Sequence, residues 1–417
     1  MKLIKHKVEY CLNCKKPQCR EGCPLGNNIN EFIQKVKEEK LEEAYNILTE
    51  TTVLPAICGR ICPHQKQCQG KCIRGIKGDP VSIGDIEAYV GDWALKQDNS
   101  LLKSWGKLKE NNKKVAIIGG GPAGITASAF LRKKGFEVTI YEKYSSLGGI
   151  LRRGIPEFRL EKSIVDKTIN QILSLGINVQ YNKELGKNLN IDELEKQYDA
   201  IFLSIGANIP RRMCIEGEEL EGVYGGNSLL ENQNHPDYTN KKVAIIGGGN
   251  VAIDCARTVK KLGAENVTVI YRRSEAEMPA EEKEIADAKS EGVEFLFLNN
   301  IVKILGENKV EKIECIKTEL VQKEGESRKY PVDIENSNYI IDMDYVIMAV
   351  GGKTNKEVLE QNNLEVTKNG YIMVDENNQT SHKKVFAGGD VSGQISTVAW
   401  AARDGREVAN KIEEFLK

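Results

Sequence analysis

Two stretches of the chain repeat one pattern of hydrophobic and polar positions. Val115-Ala116-Ile117-Ile118-Gly119-Gly120-Gly121-Pro122-Ala123-Gly124 recurs as Val243-Ala244-Ile245-Ile246-Gly247-Gly248-Gly249-Asn250-Val251-Ala252. In each copy a short β-branched run ends at a glycine turn and passes into a segment with helical spacing. A second β-branched strand follows each, Phe136 to Tyr141 and Val267 to Tyr271. Two such strand–helix–strand openings predict two Rossmann-like units on parallel sheets. The polar stretch Glu231 to Lys242 separates them. A later apolar run, Tyr345 to Gly351, followed by Val385-Phe386-Ala387-Gly388-Gly389-Asp390, reads as a return to the first unit, so that the second is inserted in it.

Ahead of the first repeat the pattern is helical. Ile29 to Leu48 carries Phe32, Ile33, Val36, Leu41, Ala44 and Ile47 as an approximate stripe broken by a charged stretch. Ile83 to Leu95 reads as another helix, and polar Lys96 to Lys114 as a linker. The expected architecture is therefore α/β: a helical domain over residues 1–110, a first Rossmann-like domain over 111–238 and 344–417, and a second over 239–343 inserted in the first.

Composition narrows the classes. A chain of 417 residues, 40% hydrophobic and 29% charged, suits a globular protein of several domains. A formal net charge of −1 gives no support to nucleic-acid or polybasic membrane binding. No apolar run approaches the ~20 residues of a membrane helix, and the first residues lack the apolar core of a signal peptide. The expectation is a cytoplasmic protein, where structural disulfides are rare.

That makes the cysteines informative. Eight of the eleven lie in the first 72 residues, as Cys11-x2-Cys14-x4-Cys19-x3-Cys23-Pro24 and Cys58-x3-Cys62-x5-Cys68-x3-Cys72. A ferredoxin-type run ends in Cys-Pro, and its last cysteine ligates a different cluster from the first three. Two 4Fe–4S clusters need eight ligands, and the blocks supply eight thiolates. An all-cysteine zinc site is the competing reading of such spacing.

The glycine turns carry the second chemistry. In Gly119-x-Gly121-x-x-Gly124 the first glycine makes the tight turn, the second admits a pyrophosphate, and the third packs helix on strand. The helix N-terminus offers free N–H groups to the phosphates, and Glu142, 23 residues after Gly119, would accept from ribose hydroxyls. The second copy, Gly247-x-Gly249-x-x-Ala252, leads to Tyr271-Arg272-Arg273 where an NAD site usually carries an acid. Arginine forks there suit a 2′-phosphate, hence NADP(H). Two solvated arginines at a strand end are the plainer alternative.

Together these residues resemble the glutamate synthase small-subunit family of pyridine-nucleotide flavoproteins, which includes the large subunit of NADH-dependent ferredoxin:NADP oxidoreductase. The distinctive strings are Cys58-Gly59-Arg60-Ile61-Cys62-Pro63, Gly148-Gly149-Ile150 through Gly154-Ile155-Pro156-Glu157-Phe158-Arg159-Leu160, Tyr271-Arg272-Arg273 with Met278-Pro279-Ala280, and Ala387-Gly388-Gly389-Asp390. The resemblance implies FAD in the first Rossmann unit, around Gly119, Gly121, Pro122, Ala123, Gly124, Glu142, Gly149, Arg159, Leu185, Gly389, Asp390 and Thr397. A helix starting near Ser396 would direct its N-terminus at the flavin. It implies NADPH in the second unit, lined by Gly247, Gly249, Asn250, Val251, Arg272 and Arg273.

It also divides the cluster ligands. One 4Fe–4S cluster would take Cys11, Cys14, Cys19 and Cys72; the other would take Cys23, Cys62, Cys68 and Glu87, leaving Cys58 a non-ligand. Spacing alone selects Cys58, since thiolate is the usual ligand. The implied activity is hydride exchange between NADPH and FAD, with single electrons passing through the clusters to a partner or in reverse. Such chemistry needs no acid–base side chain, and none is named as catalytic. The implied partner is a glutamate synthase large chain, a flavin-containing subunit of an electron-bifurcating transhydrogenase, or ferredoxin. Two other classes compete. A disulfide reductase needs a redox-active cysteine pair beside the flavin, and only Cys214, Cys255 and Cys315 lie beyond residue 72. A zinc-stabilised, nucleotide-sensing interaction protein would keep the Rossmann pair and dispense with iron.

Overall fold

In the computed structural model, which describes residues 2–322, 329–393 and 396–417, each apolar run ahead of a glycine turn is the central strand of a wholly parallel five-stranded sheet. The first sheet has the order Val385–Ala387, Ala200–Leu203, Lys114–Ile118, Glu137–Glu142, Asn178–Tyr181. The second has the order Val223–Gly225, Tyr345–Met348, Lys242–Ile246, Asn266–Tyr271, Glu294–Phe297. Central parallel strands are covered on both faces, which explains runs such as Val115-Ala116-Ile117-Ile118 with every side chain buried.

The chain divides into two compact units, one formed by residues through Ala207 with Thr354–Lys417 and the other by Asn208–Lys353. The strand Tyr345–Met348, expected to return the chain to the first sheet, instead pairs with Lys242–Ile246 and Val223–Gly225. The return is made by Val385–Ala387, paired with Ala200–Leu203. A buried β-branched run looks the same in either sheet, so hydrophobic pattern alone does not assign it. The second unit also carries an antiparallel sheet of Asn299–Leu305, Lys312–Val321, Tyr330–Asp333 and Tyr339–Asp342.

The N-terminal part of the first unit is helical. The charged break in the first stripe falls between helices Ile29–Lys37 and Leu41–Thr49, where Glu39 takes φ 61°. Helix Pro55–Ile61 packs on helix Ile83–Ala94 at a backbone-to-backbone contact. A Cβ on Gly59 would lie 2.4 Å from the Ala88 nitrogen, and one on Gly91 2.3 Å from the Ala56 nitrogen. Those glycines bring Cys58 and Cys62 against Glu87. Part of the expected polar linker is also structured: Ser100–Trp105 is a helix, with Leu101 1% exposed and the Trp105 ring 5.4 Å from Phe130. Its Leu-Leu-x-x-Trp spacing supplies an apolar face that the surrounding polar residues hid.

Candidate functional site

The eight N-terminal cysteines fall into two groups. Cys11, Cys14, Cys19 and Cys72 line one cavity together with the apolar side chains of Ile29 and Ile33. Burial pushes the Cys19 thiol up to about 11, and the neighbouring Cys72 and Cys11 add to the effect. The second group is deeper. Cys58, Cys62, Cys68 and Glu87 are all buried, and Cys23 is raised to about 11 by burial and by the Glu87 charge. A hydrogen bond with Cys58, then burial, pushes Cys62 well above the usual thiol range. Cys68 rises through burial and the charges of Cys23 and Glu87.

Glu87 is 5% exposed and accepts one hydrogen bond, from Asn27 Nδ2 at 3.3 Å. Desolvation raises its carboxyl to about 8. Thiols and a carboxyl packed together this way make a donor set whose ionised form needs positive charge brought to it. Both Cys58 and Glu87 stand beside Cys62, so the structure gathers the sequence-based and the resemblance-based eighth ligand at one place.

The spacing of the sulfurs speaks to the metal. Four thiolates on one zinc, with Zn–S near 2.3 Å, would sit roughly 3.8 Å apart. Among the described residues only Asp192, Glu195 and His382 bring three such ligand atoms within 4.8 Å of one another. No three of the N-terminal sulfurs do so. Groups of four donors spaced more widely than this accommodate a polynuclear centre such as an iron–sulfur cluster.

The first glycine turn is built by contacts that exclude side chains. Gly119 has φ +104°, and a Cβ there would lie 2.5 Å from the Ser204 carbonyl oxygen. A Cβ on Gly124 would fall 1.9 Å from the Gly119 oxygen. Gly121 differs: the nearest atom to its Cβ position is the Gly149 Cα at 4.0 Å. That is open space in front of helix Pro122–Lys133, which has Pro122 in its first turn. Gly149 and Gly389 close on the same place, with Cβ positions 2.9 Å from the Gly121 Cα and 3.1 Å from the Ala123 Cβ. Glu142 accepts from the Gly120 and Tyr144 backbone N–H groups at 2.8 and 3.0 Å, while burial raises its carboxyl above the usual range.

The remaining expected residues are placed as follows. Thr397 caps helix Val398–Leu416, its Oγ1 accepting from the Trp400 nitrogen at 3.3 Å. Asp390 lies beside Asp404; burial, and then that neighbour, push it up to about 6. Leu185 belongs to the buried apolar cluster behind the first sheet that also holds Ile118 and Val391. Arg159 is half-buried just after the turn at Pro156.

In the second unit the turn has the same logic. Gly247 has φ +137°, its Cβ position 2.3 Å from the Ala349 oxygen, whereas Gly249 has nothing nearer than Pro279 at 4.0 Å. Asn250 opens helix Asn250–Lys261, with Val251 next, and its Oδ1 accepts from the Glu281 nitrogen at 3.1 Å. The Ala280 nitrogen donates to the Gly248 oxygen at 3.1 Å, so the Met278-Pro279-Ala280 string folds back over the turn. Arg272 is exposed. Arg273 is 6% exposed and its buried Nε has no hydrogen-bond partner, an unmatched cationic donor that fits an absent anion.

Sequence reasoning missed three polar residues near the first turn. Asp404 accepts from the Gly389 nitrogen at 2.9 Å. Arg153 lies over the Tyr144 ring at 3.8 Å with its Nε buried and unpartnered. Arg406 reaches the cysteine region, its Nη1 donating to the Leu25 and Thr51 carbonyls. Asp404 and Arg406 had a visible signal, charged residues within the long, otherwise alanine-rich stretch Val398–Ala409.

Comparison with known proteins agrees with this geometry. The profile of the pyridine nucleotide-disulphide oxidoreductase family matches residues 113–405, and that of dihydropyrimidine dehydrogenase domain II, 4Fe-4S cluster, matches residues 2–99. The glutamate synthase [NADPH] small chain of Escherichia coli is 33% identical over 99% of this chain and 91% of its own length. The NADP(+)-dependent formate dehydrogenase subunit beta of Moorella thermoacetica is 34% identical over 96% of this chain and 60% of its own. Among solved structures, Mycobacterium tuberculosis FprA in complex with NADPH superposes with a TM-score of 0.64 at 19% identity, covering 73% of this chain and 84% of that one. This last likeness is one of fold.

The two kinds of glycine separate experimentally. Gly121→Val should leave folding intact, because its Cβ enters open space, while abolishing bound flavin absorbance. Gly124→Val should instead yield little folded protein, since its Cβ meets backbone. Soluble yield, thermal midpoint and the visible spectrum of both variants check the contrast.

Proposed function

The chain belongs to the glutamate synthase small-chain family within the pyridine nucleotide-disulphide oxidoreductases, and on that premise we propose that it moves electrons between NADPH, FAD and two 4Fe–4S clusters, to or from a larger partner chain. The observation that carries this reading is the sorting of the N-terminal donors into two open groups, one around Cys72 and one around Glu87, within the same compact unit as the first glycine turn.

The residues divide the work. Backbone N–H groups at Gly121, Pro122's neighbour Ala123, and Gly124 hold the FAD pyrophosphate against the helix N-terminus. Glu142, fixed by its two backbone donors, accepts from ribose; Asp390 and Gly389 hold the ribityl side, and Gly149, Arg159 and Leu185 border the rest. The N-terminus of the 19-residue helix capped by Thr397 faces the flavin and favours negative charge there. In the second unit Gly247, Gly249, Asn250 and Val251 hold the NADPH pyrophosphate, and Arg272 with Arg273 pairs with the 2′-phosphate. Cys11, Cys14, Cys19 and Cys72 hold one cluster, and Cys23, Cys62, Cys68 and Glu87 the other, with Cys58 a buried neighbour. When bound, the flavin supplies the conversion between two-electron hydride chemistry and the one-electron chemistry of the clusters.

The partner proposed is a glutamate synthase large chain, in a cytoplasmic complex. The similarity to a formate dehydrogenase beta subunit favours a second reading, in which the same unit serves another large subunit such as a bifurcating transhydrogenase chain. Among the described residues no helix is long and apolar enough to cross a membrane. Recovery of the native complex with an FMN-containing amidotransferase chain supports the first partner; recovery with a different flavoprotein supports the second.

Anaerobic addition of NADPH to the purified protein should bleach flavin and broad iron–sulfur absorption together, with about eight irons per chain; a colourless protein holding only zinc would overturn the reading. Arg272→Ala with Arg273→Ala should raise KM for NADPH by tenfold or more and leave KM for NADH nearly unchanged, since a charge-assisted 2′-phosphate contact is worth about 1.5–3 kcal/mol. Equal losses for both nucleotides would remove the 2′-phosphate role. Cys58→Ala should keep both clusters, whereas Glu87→Ala should alter the EPR spectrum or iron content of one. The opposite pattern would make Cys58 the ligand.

A further inference from the structure

Three consecutive residues of helix Val398–Leu416 point to three different segments of the first unit. Asp404 accepts from the Gly389 backbone at 2.9 Å. Gly405 lies where a Cβ would be 2.2 Å from the Ala123 carbonyl, so the helix sits backbone-to-backbone on helix Pro122–Lys133. Arg406 leaves on the remaining side, and its Nη1 donates to the Leu25 carbonyl at 2.9 Å and the Thr51 carbonyl at 2.7 Å. Successive helical positions are turned by about 100°, which is why three neighbours can serve three segments.

The Arg406 contacts lead to the buried cysteine group from two directions. Leu25 is two residues from Cys23, and the Cys23 charge is among those that favour the Arg406 cation. On the other side, Thr51 Oγ1 donates to Asn27 Oδ1 at 2.6 Å, and Asn27 Nδ2 donates to Glu87 Oε1 at 3.3 Å. One guanidinium therefore fixes the loop of Cys23 and, through Thr51 and Asn27, the carboxylate of Glu87. Among the described residues its hydrogen-bond partners are carbonyls, while the adjacent Glu407 carboxylate favours its charge and Arg403 opposes it. Burial lowers its pKa, but an arginine stays charged.

We infer that Arg406 is a positioning residue for the Cys23–Glu87 cluster: it orders both of these ligands and raises the cluster's reduction potential with its positive charge. The inference rests on the cluster reading above. Groups that orient and polarise first ligands tune a metal centre, and a nearby positive charge stabilises the more negative, reduced form. Because Arg406 sits on the helix whose N-terminus faces the flavin site and whose Asp404 holds the Gly389 turn, the same element that frames the flavin sets the level of its electron acceptor.

The test is a redox titration of the holoprotein followed by EPR. Arg406→Gln should shift the reduced-to-oxidised ratio of one cluster at least tenfold towards oxidised at a fixed potential, which is about 59 mV more negative for one electron. The other cluster and FAD content should be unchanged. Arg406→Lys, which keeps the charge, should return the midpoint close to that of the unmodified protein. Both midpoints unmoved in Arg406→Gln with iron intact would overturn the inference, as would a lysine variant that falls as far as the glutamine one. If Arg406→Gln loses iron from one cluster, the lysine variant decides: a cluster restored at the original midpoint supports the role, and one restored at a lowered midpoint, or not restored, overturns it. Absence of two cluster signals from the unmodified protein would instead be failure of the cluster reading.

Discussion

No side-chain atom fits between the first turn of helix Pro122–Lys133 and the segments that meet it, and the first unit is organised by that exclusion. Gly124 touches the Gly119 carbonyl, Gly149 the Gly121 Cα, Gly389 the Ala123 Cβ and Gly405 the Ala123 carbonyl, each at a separation that a Cβ could not share without displacing a neighbour. These four contacts draw the glycine turn, the Gly148-Gly149 loop, the Gly388-Gly389-Asp390 loop and the C-terminal helix to one point. Close backbone approach leaves the space in front of Gly121 clear of side chains, at the N-terminal end of a helix. That is the requirement for holding a pyrophosphate.

Most of this was legible in the sequence for a physical reason. Strand–turn–helix units have local signals, since glycine spacing and β-branched runs lie within about thirty residues of one another. The sorting of cysteines into two groups was not legible from spacing, because Cys23 and Cys72 each join residues of the other block through chain reversal. Resemblance supplied that partition; in the structure Cys72 neighbours Cys11 and Cys19, Cys23 neighbours Glu87 and Cys58, and Cys68 neighbours Cys23, Glu87 and Cys19. The strand Tyr345–Met348 was assigned to the wrong sheet because a fully buried parallel strand carries no facial pattern by which to choose a partner. Asp404 and Arg406 showed only as charges in an alanine-rich helix, because the partners that give them their roles lie far away in sequence.

The electrostatics of the first unit follow from the same close packing. Glu87, Glu142 and Asp390 are all raised by desolvation, each at a place where the family motifs put a cofactor. They are not equivalent. Glu142 has two backbone donors, so its charge is partly supported by the protein itself and its remaining lone pairs suit neutral hydroxyls. Glu87 has a single amide at 3.3 Å, far too little to support a buried carboxylate. Such a group is either neutral or bound to positive charge.

That difference bears on why a carboxylate would stand where a thiolate is usual. Cys58 also stands beside Cys62 and hydrogen-bonds with it, so geometry alone does not disfavour sulfur. The distinction lies in what stands behind each group. Glu87 is the end of the Arg406–Thr51–Asn27 line, whereas Cys58 sits on the side of helix Pro55–Ile61 that packs into the apolar core with Leu54 and Ile57. A ligand tied to a polar line can be tuned by a cation at its far end; a thiol in an apolar wall cannot. Replacing thiolate by a harder oxygen donor changes the bonding to iron, and the line to Arg406 sets the electrostatic level at which that bonding acts. The buried group would then be the acceptor whose potential is governed by the flavin-framing helix, and the Cys72 group, in its half-exposed cavity, the one that faces onward.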